Sequence, residues 1–418
     1  MNINNFIKNF IKKHPIIRKI ARKISFYKDK IKYQIITKNI KVDDKLIVFG
    51  CFNGRSYCDS PKALYNYMLA DKKFNDYKFI WAFSNPEEHK FLENNKNTQV
   101  INVTSKKFLQ TLGRAKFWIF NYKIQDYIFP KENQIFVQCW HGTPLKRLGY
   151  DLEHFNNAMN TVSEIRRRYH IEASKFSYFL SPSKFASEKF ATAWDLEKTN
   201  RKNIILEEGY PRNDFLINYS KEDVARIKKI LNIEEDNRKI LLYAPTYRDN
   251  QHNASIGYTY KTEVDFDKLR GELSKEYIIL FRAHWLVAQE FNFEKYKDFI
   301  IDVSNYDDIN ELYIISDMLI TDYSSVFFDY ANLKRPIIFY MYDLEEYRDE
   351  LRGFYLSLEE LPGNIIKEET KLIEEIKFLT NKFEYDERYK CFNNKYNYLD
   401  DGKASKRVIQ KVFENKNV

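Results

Sequence analysis

A chain of 418 residues with 44% hydrophobic and 30% charged side chains is globular and too long for one ordinary domain, so two domains are expected. The net charge of +9 is unevenly placed: residues 1–41 hold 12 Lys/Arg against one Asp, which leaves the rest of the chain at −2. A nucleic-acid binder would carry its basic surface on the folded body, so that class is excluded, and Cys51, Cys58, Cys139 and Cys391 form no Cys-x-x-Cys pair, which points to a reducing compartment.

Residues 3–37 interleave lysines and arginines with Phe6, Phe10, Ile17, Ile20, Ile24, Ile31 and Ile35 at near-helical spacing. Pro15 divides the stretch into two basic amphipathic helices. Attached to a near-neutral body, such a segment reads as an anchor on an anionic membrane surface rather than as a solvated hairpin. No apolar run reaches about 18 residues, and the N-terminus lacks an apolar core followed by a cleavage site, so neither a spanning helix nor a secretory leader is expected.

From residue 45 strands and helices alternate. Lys45–Gly50, Lys78–Phe83, Gln99–Val103, Ala115–Asn121 and Gln134–Trp140 read as buried strands, with helices over Pro61–Asp71 and Ser105–Arg114. Helices follow at Leu152–Ser174 and Lys184–Asp195, with strands at Ser177–Leu180 and Asn203–Glu207. After a polar stretch near 213–222 the pattern restarts. Lys239–Ala244, Tyr277–Arg282, Phe299–Val303, Met318–Thr321 and Pro336–Tyr340 are strands; Asp265–Ser274, Asp307–Ser316 and Ser325–Leu333 are helices. Alternation with continuously apolar strands implies parallel sheets. The expected fold is α/β: two Rossmann-like domains facing each other across a cleft, over residues 42–222 and 223–418, behind a membrane-associating segment at 1–41. The last helix is placed in the second domain or returning to the first.

Two strand ends carry most of the chemistry. Gln138-Cys139-Trp140-His141-Gly142-Thr143-Pro144-Leu145-Lys146 places a histidine and a lysine in an exposed loop, where ligands of open α/β sheets bind. His141 can take a proton near neutral pH. Thr321-Asp322-Tyr323-Ser324-Ser325 opens a helix, where hydroxyls and free N–H groups receive a phosphate or simply cap the helix. Asp329 lies one turn beyond Ser325 and is positioned to bond a sugar or that serine. Arg248, Arg282 and His284 end neighbouring strands and together suit a diphosphate clamp. A base in one half and a phosphate cradle in the other suggest transfer from a phosphorylated donor. No Gly-x-Gly-x-x-Gly or Walker A pattern occurs. Asp265-Phe266-Asp267 is better explained as a helix N-cap than as a metal motif, and no cluster has metal-ligand spacing, so neither metal nor cofactor is expected.

Taken together these pieces resemble the CDP-glycerol glycerophosphotransferase family, which includes teichoic-acid primases and polymerases. The matching segments are Gln138–Gly149, Ser181–Trp194, Gly209–Asp214, Tyr243–Asp249, Arg282–His284, Asp317–Pro336 and Phe339–Tyr355, in order over roughly residues 45–400. The resemblance implies a GT-B fold, with acceptor contacts in the first domain and the nucleotide in the second. It also implies a peripheral place on the cytoplasmic face of the membrane. The family's two functional histidines fall on His141 and His284, and its diphosphate contacts on Arg248, Ser324 and Ser325. Lys146, Arg282, Asp329 and Arg352 complete the expected substrate-binding set. Trp285 departs from the pattern, standing where a proline or smaller aromatic is expected. The implied reaction moves a polyol phosphate, glycerol ahead of ribitol, from a CDP-activated donor to a hydroxyl of a lipid-linked or growing cell-surface glycopolymer, teichoic acid or capsule, and releases CMP. Two rival readings remain at this level: a GT-B glycosyltransferase using a nucleotide sugar, and a membrane-bound scaffold with a degenerate nucleotide fold.

Overall fold

The computed structural model describes residues 15–153, 161–246, 252–253, 257–258, 264–283, 293–345 and 353–414. The first sheet is built from β1 (Asp43–Gly50), β2 (Lys78–Phe83), β3 (Thr98–Asn102), β4 (Ala115–Phe120), β5 (Ile135–Gln138), β6 (Tyr178–Ser181) and β7 (Ile205–Glu207). Their order is β3-β2-β1-β4-β5-β6-β7, and every pairing is parallel. The second sheet holds β8 (Lys239–Ala244), β9 (Tyr277–Phe281), β10 (Ile300–Asp302), β11 (Met318–Thr321), β12 (Ile337–Tyr340) and β13 (Asn364–Ile366). Its order is β10-β9-β8-β11-β12-β13, again all parallel. Two parallel-sheet halves are thus present, as the alternating pattern implies.

The strands read as unbroken apolar runs because both faces are covered. On β1, Leu46 and Val48 enter one core while Ile47 and Phe49 enter the other. On β8, Ile240 and Leu242 face one core and Leu241 and Tyr243 the opposite one. Parallel neighbours need long crossovers, and helices such as α1 (Asp59–Ala70) and α2 (Lys106–Arg114) supply them.

Two local differences have physical reasons. Residues 213–222, a polar stretch in sequence, are mostly helical: Asp214–Asn218, then Lys221–Ile230, whose capping box joins Ser220 and Asp223. The second of these helices buries only Ile227 fully, so its apolar stripe is faint. The helix expected from Leu152 starts instead at Val162, behind a Thr161–Glu164 capping box, with residues 154–160 outside the described residues. Asp265 does cap its helix, accepting from the Asp267 and Lys268 amides. At the N-terminus, Pro15–Thr37 is one helix; Phe6 and Phe10 lie outside the described residues.

The C-terminal segment crosses back. Ala404–Ile409 is helical and continues as a π turn over Gln410–Glu414. Val408, Ile409 and Val412 enter a core of the first sheet, and the Phe413 ring lies 4.1 Å from Phe117 and 5.2 Å from Phe74. The first sheet is therefore completed by residues that follow the second in sequence. Replacing Phe413 with Ala should cost about 2 kcal/mol, because a partly buried aromatic is lost from that junction. Urea denaturation measures this, and an unchanged midpoint would contradict the packing described.

Candidate active site

Strand register brings the loops together. Gly50 is level with Phe120, and Phe120 with Gln138, so Cys51–Asp59, Asn121 and Cys139–Thr143 emerge at one edge of the first sheet. That edge is the point where strand order reverses, between β1 and β4, and such a reversal opens a crevice. In the second sheet Ala244 is level with Thr321, so Pro245-Thr246 and Asp322–Ser325 emerge together at the equivalent reversal. The two rims touch. A Cβ placed on Gly142 would lie 2.6 Å from Ser325 Oγ and 3.4 Å from its Cβ, so a larger residue there would force the Ser325 hydroxyl into another rotamer.

The local chain explains how His141 is presented. Trp140 adopts a left-handed backbone, φ 51°, which turns its indole inward onto Trp194, 4.7 Å between centroids. The next residue is thereby directed into the cleft, where His141 is exposed. Its Nδ1 lies 3.0 Å from the Asn121 carbonyl oxygen. A carbonyl can only accept, so Nδ1 carries the proton and Nε2 keeps its lone pair. Although open to solvent, the ring has protein walls on both sides, and their desolvation pushes its pKa below the ordinary histidine value. Arg212 acts in the same direction; the Asn121 carbonyl and Asp59 oppose. The neutral imidazole is the form a general base requires.

Beneath His141 runs a chain of buried polar groups. The Asn121 side chain accepts from the Phe52 amide at 2.9 Å and donates to Asp59 Oδ2 at 2.8 Å. Asp59, itself at φ 62°, accepts from Arg212 Nη1 at 3.1 Å. Arg212 Nη2 reaches Asp329 Oδ2 at 3.0 Å, which carries the chain into the second half. Arg212 is 5% exposed and Asn121 is completely buried. Asn213 bridges Asp329 and Asp400 at 3.0 and 2.7 Å, and burial, with the Asp329 charge nearby, pushes Asp400 up to about 7.

The serine loop is prepared differently. Asp322 Oδ1 accepts from the Thr246 amide at 2.8 Å and from the Tyr323 amide at 2.6 Å, fixing the turn. Ser324 and Ser325 are half-buried. Ser325 stands at the start of helix Val326–Tyr330 with ψ 0°, too far from extended for its hydroxyl to reach back to the helix, and it makes no capping bond. Neither serine hydroxyl has a hydrogen-bond partner among the described residues, so both remain available to a ligand.

Of the other residues singled out from sequence, three lie among the described residues. Lys146 is half-buried and forms an antiparallel bridge with Phe354. Tyr355 N donates to Leu145 O at 2.8 Å and Arg147 N to Gly353 O at 3.2 Å, so this bridge also joins the halves. Arg282 Nη1 donates to the Val303 and Tyr306 carbonyls at 3.0 and 2.7 Å, which ties it to its own half. The Asp329 carboxylate is buried against Arg212 and Asn213, a salt-bridge partner where a sugar or serine contact was expected. Arg248, His284 with Trp285, and Arg352 lie outside the described residues. Sequence reasoning overlooked Asn121, Asp59 and Arg212. Gly209–Asp214 stood out as a segment, but nothing in it says that its arginine is buried between two carboxylates. Among the described residues no group of His, Cys, Asp and Glu is arranged to hold a metal ion.

Residues 31–414 match the model of a family described as CDP-glycerol:poly(glycerophosphate) glycerophosphotransferase. The chain is 40% identical over 373 residues to a teichoic acid poly(glycerol phosphate) polymerase of Bacillus spizizenii, covering 89% of this chain and 92% of the relative. It is 39% identical to a Bacillus subtilis polymerase of the same description over 98% of this chain, but spans about half, 54%, of that longer protein. Among solved structures it is similar to the wall teichoic acid polymerase TagF, with a TM-score of 0.81 and 36% identity over 98% of this chain and 97% of that one.

The contact between rims makes a direct prediction. Gly142→Ala should turn the Ser325 hydroxyl away from the histidine loop, lowering turnover about 10–100-fold while the melting temperature changes little. Wild-type turnover in that variant would show that the Ser325 hydroxyl need not face the histidine loop.

Proposed function

The chain belongs to the CDP-glycerol:poly(glycerophosphate) glycerophosphotransferase family, and on that premise we propose how its cleft moves glycerol phosphate from CDP-glycerol to a growing teichoic-acid chain. The acceptor hydroxyl attacks the phosphorus adjoining the glycerol. The new P–O bond forms as the bond to the bridging anhydride oxygen breaks, and CMP leaves with that oxygen. His141 Nε2 takes the proton of the attacking hydroxyl. The Ser324 and Ser325 hydroxyls, with the N–H groups behind them, receive the phosphate oxygens on which charge builds. The resemblance adds His284 and Arg248 on the donor side, and Lys146, Arg282 and Arg352 complete the proposed substrate-binding set.

The observation that best supports this reading is the meeting of an Nδ1-protonated His141 with two uncapped serine hydroxyls across the Gly142–Ser325 contact. A base and a phosphate cradle within one contact suit direct phosphoryl transfer. His141→Ala should lower turnover by about 10²–10⁴ with CDP-glycerol affinity nearly intact. Incubation with CDP-glycerol and a lipid-linked acceptor, with CMP release followed, checks it. No CMP release from CDP-glycerol, with release of a nucleoside diphosphate from a nucleotide sugar, would favour glycosyl transfer, and wild-type turnover in His141→Ala would end the base assignment. A parallel incubation with CDP-ribitol separates the two donors.

We also propose that the N-terminal helix rests on an anionic membrane surface at the cytoplasmic face, close to a lipid-linked acceptor. Ile20, Ile24, Tyr27, Ile31 and Ile35 are all half or more exposed, and their spacing places them on one side of helix Pro15–Thr37. Tyr33 and Thr37 on the other side are buried against the body. An apolar stripe facing outward among lysines suits the headgroup region of a bilayer. No helix among the described residues is long and apolar enough to cross a membrane. Ile24→Glu with Ile31→Glu should abolish sedimentation with vesicles containing phosphatidylglycerol, and high salt should release part of the wild type. Undiminished sedimentation of the double variant would place the contact elsewhere.

A further inference from the structure

We propose that Asn121, Asp59 and Arg212 are positioning residues for transfer, forming a buried relay that holds His141 in its base-competent orientation and fixes it relative to the donor half through Asp329. The proposal rests on His141 acting as the base, and its test is chosen to separate the two.

The geometry carries the argument. His141 Nδ1–H donates to Asn121 O, so ring direction follows the Asn121 backbone. That backbone is held by its own side chain, which is anchored at both ends, by Phe52 N and by Asp59 Oδ2. Asp59 occupies the left-handed region, a conformation that costs energy for a non-glycine residue and persists where its surroundings require it. In that conformation its carboxylate meets both Asn121 and Arg212. Arg212 is gripped a third time, through its own carbonyl, by Asn310 Nδ2 at 2.8 Å. Asn310 lies in helix Ile309–Ile315 of the second half, beside Asp308, which pairs with Lys62 of the first half at 2.8 Å. Nothing in the relay is solvent-exposed, so a shift of one member passes to the next instead of being absorbed by water.

A merely structural network would lower stability and turnover together. A relay aimed at His141 also changes the protonation of the base. Among the described residues the charged groups that act on His141 are Asp59, which favours the protonated ring, and Arg212, which disfavours it. The acid limb of kcat/KM reports this ionisation in the free enzyme. Asp59→Asn should therefore move the limb to lower pH, and Arg212→Gln should move it to higher pH. Both should reduce kcat about 10–100-fold, by analogy with the loss when a partner that orients a metal-bound histidine is removed. Asp329→Asn, which reaches Arg212 but does not act directly on His141, should reduce kcat with the limb unmoved.

The experiment is the pH profile of CMP release for the wild type and these three variants with CDP-glycerol and a lipid-linked acceptor. Opposite displacement of the limb in Asp59→Asn and Arg212→Gln supports the relay. Displacement in the same direction, or none, overturns it. If His141→Ala retains wild-type turnover, the base reading fails instead, and the pH limb belongs to another group. The wild-type protein gives a second measurement that needs no variant to fold. Imidazole ¹⁵N signals, assigned to His141 by their loss in His141→Gln, should show the Nδ1-protonated tautomer. The Nε2-protonated tautomer would overturn the relay at its first link.

Discussion

The arrangement depends on one buried cation. The Arg212 guanidinium sits between Asp59 of the first half and Asp329 of the second, with each contact at 3.0–3.1 Å and the side chain almost fully removed from solvent. Taking such a group out of water is costly, and only well-placed carboxylates and further hydrogen bonds offset it. Here two carboxylates flank one guanidinium, so removal of Arg212 would leave both of them buried without a countercharge, at a cost of about 3–5 kcal/mol. Such a contact is stable in few relative positions of the two sheets. It therefore defines where their strand ends face each other, and the Lys62 pairs with Asp308 and Glu311 repeat the same constraint nearby.

The chemistry follows from that placement. Open parallel sheets offer loops at their carboxyl ends, and each sheet here offers one at its reversal of strand order. One loop contributes an imidazole whose tautomer is set by a carbonyl. The other contributes two hydroxyls that the helix start does not use. Gly142 allows them to touch. The chain needs no glycine-rich phosphate loop for this, because the serine turn is stiffened by Asp322 through the Thr246 and Tyr323 amides.

Much of this was legible in the sequence, for physical reasons that also mark the limit. Strands covered on both faces are continuously apolar, so β2, β8 and β11 could be read to the residue. A histidine directly after such a strand could be placed at the sheet edge without knowing the fold. The serines were legible as a helix start, but their freedom was not: that depends on the backbone angle of Ser325, which residue identity does not fix. The Arg212 junction left no trace, since its partners lie 153 and 117 residues away and a buried arginine looks like a surface one in sequence. Asp329 shows the converse. Helical spacing placed it near Ser325, yet the pull of Arg212 turned its carboxylate into the interface. The polar helix Lys221–Ile230 hid for a third reason, since one fully buried side chain makes almost no periodic signal.

The central claim is a single direct displacement at the phosphorus next to the glycerol, with His141 as base and the serines as ligands of the phosphate. The stereochemistry at that phosphorus tests it most directly. A CDP-glycerol made chiral there, with sulfur in place of one non-bridging oxygen, would be turned over with a lipid-linked acceptor and the configuration of the product diester determined. One in-line attack predicts inversion. Retention would mean two displacements through a covalent enzyme intermediate, and would contradict the account by making a side chain of the cleft a nucleophile.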